Sequence, residues 1–258
     1  MTQDNTPDRN AVLDQYARLA GEYDSRWSFY VHATTRETIS RLSVHASDDV
    51  LDVGCGTGAM LSQLATLFPD AAFCGVDASS EMLDIARDRL PSTIELKQGW
   101  AESLPYPDCT FNTVVSCNMF HFIRRPEAAL EEMMRVLRPN GTLVISDWCD
   151  DYLSCKLYDW YLRWFDRSHF RTYGVRQCRQ LLKAVDAREI EIDKYKITWL
   201  WGLMTAIAHK STEIRFIDKC SVRHTKIDSP AIHPEGMPEI VVPCQVLKCW
   251  LDILVRLR

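Results

Sequence analysis

The stretch VLDVGCGTGAML, residues 50 to 61, constrains this 258-residue chain more than any other part of it. Gly54, Gly56 and Gly58 stand at every second position behind a short apolar run, Val50-Leu51-Asp52-Val53. Glycine lets the backbone turn tightly and approach a ligand that a Cβ would push away. The run before the glycines reads as a buried parallel strand. After them, Leu61, Leu64 and Phe68 fall at helical spacing, and Pro69 stops the pattern. Strand, glycine turn and helix N-terminus together suit a nucleotide without saying which one.

Downstream, strands and helices alternate. Strands are predicted at 73–77, 94–98, 112–117 and 142–146. One helix is expected from Ser79 or Ser80 to Leu90, and another opens at Pro126 with Leu130, Met133, Met134 and Leu137 as its apolar stripe. This order predicts an α/β, doubly wound, mostly parallel sheet with its ligand at the carboxyl ends of the strands. Ahead of it, residues 11–42 read as one or two helices. Behind it, residues 148–173 hold ten aromatic or histidine side chains, with Leu153, Leu157, Trp160 and Trp164 on one helical face. A helix near 175–186 and an alternating strand at 190–197 follow, then an antiparallel partner at 203–208. The boundaries expected are a helical lid over 1–45, a nucleotide domain over 46–210 with an insert at 148–186, and an extension over 211–258. In that extension Leu247, Trp250, Leu254 and Leu257 share one side of a helix at 246–257, either a seam for a homodimer or a cap on the sheet.

A formal charge of −5 argues against a nucleic-acid surface. No apolar run reaches the roughly 20 residues that span a bilayer. The opening MTQDNTPDRN is polar and acidic, unlike a leader, so a cytoplasmic protein is expected. Ten cysteines are scattered without any Cys-x-x-Cys, so reduced, buried thiols and no metal site are expected.

The second strand ends on Asp77, 19 positions beyond Gly58, where a carboxylate can accept both hydroxyls of a ribose. A dinucleotide site uses G-x-G-x-x-G and offers its helix N-terminus to a pyrophosphate. Here the spacing is G-x-G-x-G, with Asp52 just ahead of it. A carboxylate there suits a cationic amino-acid end and repels a pyrophosphate. An NAD-dependent oxidoreductase is therefore disfavoured.

LDVGCGTG resembles the first motif of the class I S-adenosylmethionine-dependent methyltransferases, and GVDAS at 75–79 resembles their second. GWAESLPYPDCTFNTVV at 99–115 and LRPNGTLVISDW at 137–148 are similar to stretches of the ubiquinone-biosynthesis-like, or type 11, branch. The likeness covers about residues 10–210, with four motifs in order. It implies a seven-stranded Rossmann-like methyltransferase fold with an antiparallel final strand, a helical lid and an insert after the fifth strand. It implies S-adenosyl-L-methionine as cofactor and a small, aromatic or partly apolar acceptor. By the same resemblance Gly54, Gly56 and Gly58 approach the methionine part. Asp52 holds the loop from below, and Asp77 with Ala78 takes the ribose. Trp100, Ala101 and Glu102 flank the adenine, Asn118 lines the sulfonium, and Tyr23 folds over the cofactor. Two positions depart from the family: Asn112 stands where it has Asp, and Trp100 where Asp is common.

Methyl transfer needs a base only when the nucleophile arrives protonated. His121 and His169 are the candidates, each also readable as a hydrogen-bonded framework histidine. Trp148, Tyr152, Tyr158, Trp160, Tyr161 and Trp164 could line an acceptor pocket, or form ordinary core. Arg163, Arg167 and Arg171 recur every four residues, either as a cationic rim for an acidic acceptor or as a solvated face paired with Asp159 and Asp166. Metal assistance is not expected, because Cys117-Asn118 stands where metal-dependent relatives place Asp. A non-catalytic cofactor binder and an arsenite methyltransferase holding arsenic through Cys117, Cys149 and Cys155 are the alternative readings.

Overall fold

The computed structural model describes residues 9–165, 169–199 and 201–212. The elements run α1 (Arg9–Ile39), β1 (Asp49–Val53), α2 (Ala59–Leu67), β2 (Ala72–Asp77), α3 (Ser80–Arg89), β3 (Glu95–Gln98) and β4 (Phe111–Cys117). After a 3₁₀ turn at Phe120–Phe122 come α4 (Pro126–Val136), β5 (Leu137–Trp148), α5 (Leu153–Phe165), α6 (Val175–Ala184), β6 (Arg188–Lys196) and β7 (Gly202–His209). The seven strands form one sheet in the order β3-β2-β1-β4-β5-β7-β6. Strands β1 to β5 pair in parallel, and β7 is antiparallel to both β5 and β6. Strand order reverses between β1 and β4, which opens a crevice above their carboxyl ends.

Period-2 side chains cover both faces of this sheet. Leu51, Val53, Val114, Leu143 and Ile145 bury against Leu130 and Met133 of α4. Val50, Val115 and Val144 bury on the other face against Leu61 and Leu64 of α2 and Leu83 of α3. Truncating any one of these leucines to Ala is expected to cost about 2–5 kcal/mol. Ser79 caps α3 through its hydroxyl, which accepts from Met82 N at 3.3 Å. Pro126 occupies the first turn of α4, where its missing N–H costs nothing.

The N-terminal segment is one helix, within the expected one or two. Two features differ from expectation. Strand β5 begins at Leu137 rather than Thr142, with a register shift where Leu137 pairs Phe111 and Thr142 pairs Thr113. Helix α5 is rotated, so that Leu153, Leu157, Trp160 and Trp164 are 72%, 59%, 64% and 74% exposed. Its inner side carries Cys155, bonded to the Gly202 backbone, and Asp159, which accepts from Thr172 N at 2.7 Å and pairs with His169 and Arg163. Satisfying that buried carboxylate fixes the roll of the helix and leaves the apolar stripe outside.

Six described cysteines are free thiols. Among the described residues no helix is long and apolar enough to cross a membrane. The expected helix at 246–257, with Asp166 and Arg167, lies outside the described residues.

Candidate active site

The crevice above β1 and β4 holds a cavity walled by the glycine loop, the ends of β2 and β4, and α1. All three glycines adopt positive φ, at +80° for Gly54, +53° for Gly56 and +74° for Gly58, a region that side chains rarely enter. Their surroundings separate their roles. A Cβ on Gly54 would meet Met119 at 2.4 Å, and one on Gly58 would meet Leu90 at 2.7 Å. A Cβ on Gly56 would meet nothing within 4 Å and would project into open space. Gly54 and Gly56 line the cavity; Gly58 does not. Gly58 instead lets the start of α2 pack against α3.

A buried carboxylate, Asp52, and a half-buried one, Asp77, face the loop from below. Asp77 accepts Gly56 N–H at 2.8 Å on Oδ2 and Ser79 N–H at 2.9 Å on Oδ1. Asp77, not Asp52, therefore supplies the side-chain bond to the loop. Asp52 is buried and lines the cavity, yet its Oδ1 has no hydrogen-bond partner. Burial first, then the neighbouring Asp77, holds the Asp52 carboxyl well above the ordinary carboxylate range. Burial also raises Asp77, against the backbone N–H bonds that favour its charge.

Helix α1 closes the top. Tyr16 and Tyr23 lie with ring centroids 5.9 Å apart, and Tyr16 meets Phe122 edge-on at 5.6 Å. Burial pushes the Tyr23 phenol up, so it stays protonated. Beside it, Asp24 accepts the Thr57 hydroxyl at 2.8 Å and pairs with Arg89, which also donates to Thr57 O at 2.9 Å. This tie joins α1, the glycine loop and α3. Asn118, at φ +57°, turns its amide toward α1, accepting Tyr30 OH at 2.6 Å and donating to Thr34 Oγ1 at 2.7 Å. Ala78, Trp100, Ala101, Glu102, Asn118 and Cys117 all border the cavity, as do Phe122 and Arg124, which sequence reasoning did not single out for it. Burial pushes the Cys117 thiol up to about 12, so no thiolate is available there. Asn112, at the departure from the family pattern, is structural: its carbonyl accepts Asp49 N at 3.0 Å and the Arg138 guanidinium.

Neither of the two candidate histidines borders the cavity. His121 is buried, stacked on Trp148 at 4.7 Å, with Nδ1 2.7 Å from Asp147 Oδ1. His169 is buried with Nε2 2.8 Å from Asp159 Oδ1. Each is locked by its own carboxylate. None of the six insert aromatics lines this cavity. Trp148 and Tyr158 pack with Tyr30 and Trp201 into a closed cluster, and Tyr161 stacks on Tyr158 at 6.2 Å. Tyr152 fills the space above Gly202, while Trp160 and Trp164 face outward.

Residues 50–141 match a family model described as a methyltransferase domain. Over those residues the chain is similar to methyltransferase domains. This likeness and those to the relatives below support a methyltransferase of the ubiquinone-biosynthesis-like type, a family whose cofactor is S-adenosylmethionine. A fatty-acid O-methyltransferase of Mycolicibacterium smegmatis is 38% identical over 99 residues, covering 38% of this chain and 36% of that protein. A demethylmenaquinone methyltransferase of Symbiobacterium thermophilum is 31% identical over 147 residues, covering 52% of this chain and 57% of that protein. The chain thus spans from about a third to just over half the length of these relatives. A Haloferax volcanii methyltransferase, solved in complex with the Trm112 activator, shares the fold at TM-score 0.68 and 19% identity, over 76% of this chain and 98% of its own. The site fits the family's cofactor on two counts: an orphaned carboxylate oxygen suits its ammonium, and the open space at Gly56 lets a ligand lie against the backbone.

Proposed function

We propose that this chain is an S-adenosylmethionine-dependent methyltransferase acting on a small-molecule acceptor. The observation that carries the reading is the unpartnered, buried Asp52 Oδ1 beside an open glycine loop. In this reading Asp52 accepts the ammonium of the amino-acid end. Asp77 keeps lone pairs for ribose hydroxyls beyond its two backbone bonds. Trp100 offers a face to the adenine, and the Ala101 backbone with Glu102 offers polar groups to its edge. Tyr16, Tyr23 and Phe122 exclude water from the cavity. When bound, the cofactor supplies an already activated methyl group for in-line displacement. No imidazole borders the cavity among the described residues, and the Cys117 thiol stays protonated. The acceptor therefore arrives in nucleophilic form, as a carboxylate or a free amine, and the protein works by alignment.

A second reading, a non-catalytic binder of the same cofactor, is favoured by the closed aromatic cluster of Tyr30, Trp148, Tyr158 and Trp201, which fills the insert. The test of the first reading is calorimetric titration with S-adenosylhomocysteine, with NADH as control, on wild type and Asp77→Ala. Homocysteine-nucleoside binding that weakens in the variant supports the cofactor assignment. Binding of NADH alone overturns it.

A further inference from the structure

A second cleft, of about 540 Å³, lies between the start of α4, the 170–173 segment and α6. Arg124 borders both this cleft and the cofactor cavity. The 170–171 backbone is tied to the 3₁₀ turn by two bonds to His121 O, from Phe170 N at 3.2 Å and Arg171 N at 3.0 Å. Those bonds bring Arg171 to the cleft beside Arg124. Arg124 Nη2 and Arg171 Nε are both buried with no hydrogen-bond partner. The Arg171 guanidinium lies 5.4 Å from the centre of the Tyr173 ring. Neither arginine makes an ion pair among the described residues. Glu127, exposed on the rim, is the one carboxylate among the lining residues and pairs with neither.

A guanidinium stays charged at any ordinary pH and presents its donors in a fixed fork suited to carboxylate or phosphate. A buried charged donor left without an acceptor is costly, and two such donors on one cleft call for an acceptor from outside the chain. Around them Phe170, Tyr173, Leu181 and Ala184 give an apolar wall. We propose that this cleft is an oxyanion subsite, binding the carboxylate or phosphate of a molecule with an apolar body. On the methyltransferase reading that molecule is the acceptor, anchored at its anionic end while its other end passes Arg124 into the cavity. The anion site itself does not depend on that reading.

The experiment is calorimetric titration of octanoate, octyl phosphate and octanol into the full chain saturated with S-adenosylhomocysteine. It is repeated on Arg124→Gln, Arg171→Gln, Arg171→Lys and the exposed control Arg176→Gln, with thermal melts to verify folding. At least one anion should bind, with octanol about tenfold weaker or more. Arg171→Gln should lose about tenfold, Arg171→Lys less, and Arg176→Gln nothing; the better anion identifies the head group. Equal binding of octanol, no anion binding, or indifference to both glutamine variants overturns the subsite. Failure of the methyltransferase reading shows separately, as absent S-adenosylhomocysteine binding, and the anion titration then runs without it.

Discussion

Two pairs of aspartates, Asp147 with Asp159 and Asp52 with the half-buried Asp77, differ in what they lack. Asp147 and Asp159 are saturated. Asp147 takes the His121 ring, His121 N–H and Trp148 N–H, and Asp159 takes His169, Thr172 N–H and Arg163. Asp52 and Asp77 have no cationic partner, and one oxygen of Asp52 has no partner at all. For Asp159, burial opposes the charge, but the bonds from His169 and Thr172 and the nearby Arg163 outweigh it and hold the carboxyl below its ordinary range. For Asp52, burial wins. A buried acid with a full set of partners is framework; one left short of them marks where a ligand belongs.

The widest separation between the pairs is expected in stability. Asp159→Ala should cost about 3 kcal/mol by stranding the buried His169, and should leave S-adenosylhomocysteine affinity unchanged in calorimetry. The pH dependence should also split. The native pKa of Asp159 is lowered, so its contribution is present above the unfolded carboxylate value of about 3.9 and is lost as pH falls through the native value. The native pKa of Asp52 is raised, so ionising it weakens the cofactor-free protein as pH climbs from about 3.9 through the native value. Asp52→Asn should therefore raise the neutral-pH melting temperature of the cofactor-free protein. An unchanged or lower melting point would place Asp52 with the framework acids.

Smaller effects sharpen the same contrast. Arg89→Ala removes the tie between lid and glycine loop, and since that pair is partly solvated, a loss of about three- to fivefold in S-adenosylhomocysteine affinity is expected. At the bottom of the scale, Trp164→Ala should shift stability by less than about 0.5 kcal/mol, because the indole is 74% exposed. A loss of several kcal/mol in denaturant unfolding would mean that the stripe on α5 is covered in solution.

The glycine half was legible in the sequence because its chemistry is backbone chemistry. The positive φ at Gly54, Gly56 and Gly58, the cap at Ser79 and the acid at the end of β2 are written in residue type and spacing alone. The insert was not legible in the same way. Leu153, Leu157, Trp160 and Trp164 give the same helical stripe whether it points in or out. What decides is Asp159, whose partners His169 and Thr172 lie ten and thirteen residues further along the chain. His121 was placed correctly after β4, but the direction of its ring depends on Asp147 across the β4–β5 pair. Arg124 carried no motif, and only tertiary structure shows it bordering two cavities.

The most direct measurement compares S-adenosylhomocysteine with adenosine, which lacks the amino-acid end, by titration into wild type and Asp52→Asn. S-adenosylhomocysteine affinity should fall about ten- to a hundredfold in the variant, as for a lost charge-assisted bond, while adenosine affinity stays the same. Unchanged S-adenosylhomocysteine binding, or an equal loss for both ligands, would contradict the role given to the orphaned oxygen of Asp52.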